Sequence, residues 1–253
     1  MTDYGHVLGI HELDALLGPS LPPGWLAFLT GSSGSGAPLL AKQFASAGTG
    51  SSPVLFYTTY ERSEDVRDAF DEFGWDSGAV QIVNLADEYY RRVLVRGLEI
   101  ARVRERGLSI AELSTPVADA SKPTSFNLVN RMLSDLASID TPFRLVLDSL
   151  DFFFEVLGPR DVTTVARQIR YRCQTLGGQA LLCLHTAHTE RMTVGLLQDV
   201  ADIVVDLHAE PHGNSFLHWL KIEKVGNHPD LARILKAQVT SSGWTVNDVA
   251  PPR

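Results

Sequence analysis

The chain has 253 residues and a formal net charge of −8, with 44% hydrophobic and 21% charged residues. This composition is typical of a folded globular protein and excludes a disordered chain, and the acidic balance argues against a nucleic-acid-binding surface over the whole protein. No apolar run approaches the roughly 18 residues of a membrane span, and the first residues lack a secretory signal. Cys173 and Cys183 lie in apolar or helical patterns, which indicates buried thiols of a reducing compartment. We therefore expect a cytoplasmic protein without membrane contact.

Predicted strands and helices alternate along the first third of the chain. In chain order they are a short amphipathic helix over 9–18, a strand at Trp25 to Thr30, a glycine-rich loop, a helix from Pro38 to Ala45, a strand at Val54 to Tyr60, a helix capped by Ser63 with acids in its first turn, and a short strand at Val80 to Val83. Proline at the first turn of the helix from Pro38 costs little, because its missing N–H would be unpaired there anyway. The order strand, loop, helix is therefore intact around the glycine-rich loop.

The remainder of the chain continues the alternation and ends in hairpins. The predicted elements are helices at Tyr89 to Glu105, Asn127 to Ser138 and Val162 to Leu176, strands at Phe143 to Asp148 and Ala180 to His185, a hairpin of Ile203 to Leu207 with Phe216 to Ile222, and a last hairpin around the Ser242-Gly243 turn. Alternation followed by terminal hairpins predicts an α/β fold with a mainly parallel central sheet, flanking helices and antiparallel C-terminal edge strands. We expect one domain over 1–253, with its core at about 9–246.

The loop after the first strand has the spacing of a phosphate-binding loop. It reads Gly31-Ser32-Ser33-Gly34-Ser35-Gly36-Ala37-Pro38 and keeps both glycines of G-x-x-x-x-G-K-[ST]. Ala37 stands where the lysine would reach the β and γ phosphates, and Pro38 stands where a hydroxyl would bind Mg²⁺, so both changes act against hydrolysis. Lys42 lies roughly 140° around the helix and about 7.5 Å beyond Ala37, and it is predicted to point elsewhere. No cofactor is expected, with ATP and Mg²⁺ as the alternative.

Three other patterns have a functional and a structural interpretation. The arginine-rich stretch from Arg91 to Arg106 is interspersed with glutamates, and a solvated helix face is favoured over a binding surface. His185 and His188 lie near the end of a core strand without a partner Cys or Asp cluster beside them, so a hydrogen-bonded structural histidine is favoured over zinc. The run Phe152-Phe153-Phe154 is either core or a patch for a partner, and we expect partner contact for at least one of its rings.

The order of motifs resembles the KaiC-like branch of the RecA superfamily of P-loop ATPases. The resemblance is carried by Gly9-Ile10 through Leu16-Leu17-Gly18, Pro23-Gly24 before a strand, the glycine loop, and Phe73-Gly74-Trp75-Asp76. It implies that Thr59-Tyr60-Glu61-Arg62 corresponds to a stretch with two catalytic glutamates, of which Glu61 is kept and Arg62 replaces the other. It also implies that Asp148 is the Walker B aspartate, which would hold Mg²⁺ if the ion binds. The stretch from Lys224 to His228 partly matches a motif whose cations reach a neighbouring subunit.

The resemblance, with these departures, implies an inactivated member of the family. We expect a catalytically inactive homologue that acts in regulation, signal transduction or assembly, with protein partners that include itself or an active KaiC-like paralogue. A weak or noncanonical ATP-binding or hydrolysing enzyme that uses Glu61 and Asp148 is the first alternative. A recombinase-like DNA-binding accessory protein is the second, although nucleic acid is not the expected partner. One hypothesis pairs Arg62 with Asp148 or Glu61 across the empty site, against a plain surface role for Arg62.

Overall fold

The strands form one nine-stranded sheet. A computed structural model describes residues 7–48, 52–87, 89–90, 125–185 and 191–248. The strands are β1 (Trp25–Gly31), β2 (Val54–Thr58), β3 (Val80–Asn84), β4 (Arg144–Asp148), β5 (Gln179–His185), β6 (Ile203–His212), β7 (Ser215–Val225), β8 (Arg233–Thr240) and β9 (Gly243–Asp248). Their order across the sheet is β3-β2-β4-β5-β1-β6-β7-β8-β9. Parallel pairs join the strands β3, β2, β4, β5, β1 and β6. Antiparallel pairs then join β6 to β7, β7 to β8 and β8 to β9.

Helices cover both faces of the parallel part of the sheet. Those described are α1 (His11–Leu17), α2 (Ala37–Ser46), α3 (Ser63–Glu72), α4 (Ser125–Ala137), α5 (Asp151–Val156), α6 (Pro159–Leu176) and α7 (Arg191–Val200). One apolar cluster packs α1, α2 and α3 against the first face, with Phe44 and Phe70 fully buried. A second cluster packs α4, α6 and α7 against the other face, around Met132 and Ile169. The predicted fold class is confirmed.

No helix among the described residues combines the length and apolarity that crossing a bilayer requires. The predicted helix from Tyr89 to Glu105, the arginines from Arg91 to Arg106 and His188 lie wholly or almost wholly outside the described residues.

The structure differs from the predicted elements at three helices. Ser63 is the first residue of α3, and the N-cap position belongs to Arg62, which makes no side-chain capping bond. Helices α5 and α7 were not predicted from the sequence. The consecutive apolar residues of α5 show no helical period, and a glycine inside α7 weakens its helical pattern. The acids of the first turn of α3, Glu64 and Asp65, lie where predicted.

Candidate functional site

The glycine loop connects the end of β1 to the start of α2. The Ser35 N–H donates to the Ser32 carbonyl at 3.0 Å, with Gly34 between them at a positive φ of 80°. The Ala37 N–H donates to Ser35 Oγ at 3.4 Å, and Ser35 is fully buried. Two backbone donors of the loop are therefore used within the loop itself, whereas the outer part at Ser33 and Gly34 is exposed.

Trp244 of β9 packs against the end of this loop. A Cβ on Gly36 would lie 2.4 Å from the Trp244 ring, and Trp244 Nε1 donates to the Gly36 carbonyl at 3.2 Å. The buried amide of Gln43 joins the same elements, because it accepts from the Trp244 N–H at 2.6 Å and donates to the Trp244 and Gly9 carbonyls at 3.0 and 2.7 Å. The position of the loop thus depends on a strand more than 200 residues away in sequence, which no local pattern could predict.

Asp148 ends β4 and is 1% exposed. Its Oδ2 accepts a hydrogen bond from the Tyr60 hydroxyl at 3.1 Å, and within the part of the chain that the structure describes its Oδ1 has no hydrogen-bond partner. Burial raises the pKa of Asp148 to about 6, the charge of Glu61 acts in the same direction, and Lys42 opposes it. Burial and the carboxylates of Asp148 and Glu61 likewise raise the pKa of Tyr60. Asp148 is therefore a strongly desolvated carboxylate at the carboxyl edge of the sheet.

Glu61 lies just beyond the end of β2 and meets Lys42 rather than Arg62. Lys42 Nζ is 2.9 Å from Glu61 Oε1 and 2.8 Å from Oε2, and the Lys42 residue is only 5% exposed. The prediction that Lys42 points elsewhere than the missing lysine of position 37 stays a prediction. The structure adds a contact that the helical offset did not indicate, since Lys42 pairs with Glu61 beyond the end of β2.

Arg62 forms a surface pair with Asp65 on the first turn of α3. Its Nη2 lies 2.5 Å from Asp65 Oδ1, and the Arg62 side chain is 76% exposed. The hypothesis that Arg62 pairs with Asp148 or Glu61 is therefore wrong, and the plain surface role applies. The physical reason is local: the acids of the first turn lie one helical turn from Arg62, where a long exposed side chain reaches them without desolvation.

The backbone at the ends of β2 and β4 is held by short hydrogen bonds. The Thr59 N–H donates to the Asp148 carbonyl at 2.8 Å, and the Ser149 N–H donates to Thr59 Oγ1 at 2.9 Å. The Glu61 N–H donates to Thr58 Oγ1 at 3.0 Å. Asn84 Nδ2 at the end of β3 donates to the Glu61 carbonyl at 2.7 Å. These bonds bring Glu61 and Asp148 to the same edge of the sheet in a defined geometry.

His185 ends β5 beside this edge. Its Nδ1 lies 3.0 Å from Asp151 Oδ2, which also accepts from the His185 N–H at 3.0 Å and from the Ser149 hydroxyl at 2.6 Å. The hydrogen bond to Asp151 raises the pKa of His185. The Tyr60 ring contacts His185 edge-on, with centroids 5.8 Å apart. These contacts agree with the structural role predicted for His185.

The remaining candidates from the sequence lie away from the loop. Phe152 and Phe153 are 6% and 2% exposed in the core, and Phe154 packs against the same cluster while partly exposed. Lys224 Nζ donates to the Gln198 and Asp199 carbonyls at 2.9 and 3.3 Å. Both carbonyls belong to the last turn of α7, where a cation satisfies unpaired backbone acceptors.

Few groups among the described residues could hold a Mg²⁺ ion. Pro38 has no hydroxyl to offer, both Glu61 oxygens contact the Lys42 ammonium, and Asp148 Oδ2 is held by Tyr60. Mg²⁺ usually keeps several waters and binds through one or two carboxylates together with substrate phosphates, and Asp148 Oδ1 is the carboxylate oxygen left for it at this edge, near the positive charge of Lys42. Among the described residues no group of three or more His, Cys, Asp or Glu side chains is placed to hold a metal ion.

Comparison with known proteins supplies a family and a fold. The family model described as "ATPase: KaiC" matches residues 7–248. The fold is similar to the crystal structure of a KaiC-like protein from the hyperthermophilic archaeon Pyrococcus horikoshii OT3, with a TM-score of 0.65 and 20% sequence identity over 96% of this chain and 98% of that one. At this identity the similarity concerns the fold alone. No curated protein sequence matches the chain significantly.

Proposed function

This chain belongs to the KaiC ATPase family, and on that premise we propose that it is a member without ATP hydrolysis that acts in regulation, signal transduction or assembly. The observation that carries the proposal is the buried contact of Lys42 with both carboxylate oxygens of Glu61, at 2.9 and 2.8 Å. An acid held by an ammonium in this way is poorly placed as a general base, because both of its oxygens already contact a cation and neither is turned to a substrate.

The loop supports the same proposal. Ala37 presents a methyl group where a lysine would contact the β and γ phosphates, and Pro38 has neither a hydroxyl nor a backbone N–H. Removal of one charge-stabilising group typically lowers a rate by about 100- to 1000-fold, and losses among groups that act together do not simply add. The degenerate phosphate loop and the sequestered Glu61 affect two separate parts of the reaction.

A weak or noncanonical ATP-binding enzyme is the second candidate, favoured by one observation. Glu61 and Asp148 are both retained, and they meet at the carboxyl edge of the parallel strands, where ligands bind in open α/β sheets. Ser33 and Gly34 of the loop are exposed beside this edge. Anions bind helix N-termini even without a lysine, so nucleotide binding without turnover is compatible with both candidates.

The partner proposed here is a protein, either a second copy of this chain or an active KaiC-like paralogue. A family member that does not hydrolyse ATP can act only by binding another molecule. A related ATPase has the same fold, so the two proteins can present similar surfaces to each other. We further propose that the chain is one domain, since a single sheet joins strands from both ends of the described residues. A cytoplasmic location is supported by Cys173 and Cys183, which are buried free thiols whose pKa values burial raises.

Phosphate release from ATP tests the proposal directly. The purified protein and its Asp148→Asn variant are compared at equal concentration with ATP and Mg²⁺, and we expect the two rates to be equal and at background. A rate that exceeds that of the variant would establish the second candidate instead. Nucleotide binding is measured separately by thermal unfolding, because a ligand at 100 times its dissociation constant adds about 2.7 kcal/mol of stability.

A further inference from the structure

A lysine ammonium is buried inside the acidic edge of the sheet. Lys42 lies in the second turn of α2, and its residue is 5% exposed. Removal of an ammonium from water carries a large desolvation penalty, so a buried lysine persists only where it is paired. The partner of Lys42 is Glu61, because Lys42 Nζ contacts both carboxylate oxygens of Glu61 at 2.9 and 2.8 Å.

The two acids of this edge lie on neighbouring strand ends. Asp148 is 1% exposed, and the Thr59 N–H donates to its carbonyl at 2.8 Å, which holds the end of β2 with Glu61 beside it. Two carboxylates at one desolvated edge disfavour each other's charged form, and a cation nearby relieves that repulsion. In a nucleotide-hydrolysing protein of this architecture, that cation is a divalent metal ion bound with the phosphates.

We propose that the Lys42 ammonium is a built-in counter-ion for Glu61 and Asp148, and that it takes over the charge balance that a divalent cation would otherwise provide. The inference rests on the proposed function in one respect, since it explains why the edge is stable without a ligand. The Tyr60 hydroxyl completes the arrangement by donating to Asp148 Oδ2 at 3.1 Å. The site is thus balanced by groups of the chain itself, and Mg²⁺ neither binds there nor stabilises the protein.

Thermal unfolding with Mg²⁺ alone tests this counter-ion role. The native protein, Lys42→Met and Lys42→Met/Glu61→Gln are unfolded with about 10 mM MgCl₂ and without it. KCl is added to match the total ionic strength of all samples, because salt screens charge interactions. We expect no Mg²⁺ response from the native protein. Lys42→Met should unfold at a temperature roughly 5–10 °C lower, because it leaves a partly buried carboxylate without a partner, and Mg²⁺ should restore part of this loss in a saturable manner. The unfolding temperature of the double variant should fall less than that of Lys42→Met, and Mg²⁺ should not change it.

Lys221→Met is the matched control. Lys221 pairs with Glu223 at 2.7 Å on the exposed face of β7, and loss of such a surface pair should change neither the unfolding temperature nor the Mg²⁺ response. Saturable stabilisation of the native protein by Mg²⁺ would overturn the proposal, since it would show that the acids accept a metal while Lys42 is present. A Lys42→Met variant as stable as the native protein and indifferent to Mg²⁺ would overturn it as well.

The double variant covers the case in which Lys42→Met does not fold. A folded Lys42→Met/Glu61→Gln protein then supports the counter-ion role, because removal of the acid has removed the need for the lysine. Failure of both variants would assign Lys42 to packing rather than charge and would overturn the proposal. Since no nucleotide is present, these results are independent of phosphate release, and either conclusion can fail while the other stands.

Discussion

The Tyr60 hydroxyl donates to Asp148 Oδ2 at 3.1 Å across 88 residues of sequence. The phenol lies one position before Glu61, so the end of β2 supplies both an acid and a donor to the neighbouring strand end. Half of the Tyr60 residue is exposed, at 49%, while its hydroxyl reaches a carboxylate that is 1% exposed. The aromatic ring thereby covers the acidic edge from the solvent side.

Tyr60→Phe should destabilise the protein by about 1–2 kcal/mol, because it removes a hydrogen bond to a buried charged group. Chemical denaturation at pH 8 measures this loss, and Tyr171→Phe is the control, since Tyr171 is 67% exposed on α6. Equal stability of the two variants would contradict a structural hydrogen bond at Asp148.

Asp148→Asn should stabilise the protein above pH 6. The pKa of Asp148 is raised to about 6 in the folded state, so the stability linked to its bound proton is complete below the ordinary pKa of about 4 and is lost as the pH rises through 6. The neutral amide avoids this loss, and a gain on the order of 1–3 kcal/mol at pH 8 is expected. Denaturant midpoints of the native protein and the variant from pH 4 to 8 measure it, and a stability difference between the two that does not grow over this range would refute the prediction.

The hydrogen bond between His185 and Asp151 should raise the pKa of the imidazole in the folded protein. Its contribution to stability is present below about pH 6.5 and is lost as the pH rises through the elevated folded value. NMR titration of the His185 ring should give a lower pKa in Asp151→Asn than in the native protein. Equal pKa values of the His185 ring in the two proteins would contradict the effect of Asp151.

Gly36→Ala should cost more stability than Gly34→Ala. Both glycines have positive φ, at 83° and 80°, so each substitution carries the left-handed penalty of about 1–2 kcal/mol. A Cβ at Gly36 would also collide with the Trp244 ring at 2.4 Å, whereas Gly34 has no heavy atom within 4 Å of that position. We expect an additional cost of about 1–3 kcal/mol at Gly36. Similar denaturation midpoints for the two variants would argue against the contact with Trp244.

Restoration of the loop should not restore hydrolysis while Lys42 remains. Ala37→Lys, Pro38→Thr and Arg62→Glu together rebuild the family pattern, but both oxygens of Glu61 stay in contact with the ammonium. Addition of Lys42→Met should raise phosphate release by roughly 100-fold or more over the rebuilt loop alone. Full turnover by the rebuilt loop with Lys42 intact would show that the lysine does not restrain Glu61.

Several features of the fold could be predicted because they depend on neighbours in sequence. The apolar run of β1, the glycine loop and the proline at the start of α2 fall where the strand and helix patterns indicate. The acid that ends β4 was identified in the same way. The helix α7 was missed because Gly195 lies at its centre, and a glycine inside a helical pattern weakens the prediction.

The partners of the charged residues could not be predicted in the same way. The sequence offered Arg62 as the cation for Asp148 or Glu61 across the empty site, yet Arg62 reaches Asp65 on the surface instead. Lys42 meets Glu61 from another element because α2 packs against the sheet beside the end of β2. A buried ion pair depends on which groups share a desolvated space, and that is a property of packing.

The amino-acid sequence by itself determined the alternation of strands and helices, because this follows from short-range periodicity. It also showed directly that positions 37 and 38 hold Ala37 and Pro38 in place of a lysine and a hydroxyl. Only the tertiary structure decided that Lys42 neutralises Glu61, that Tyr60 covers Asp148 and that Trp244 holds Gly36. Each of these contacts joins elements distant in the chain, and it offsets the cost of taking charged or polar groups out of water at a place where only the folded sheet brings them together.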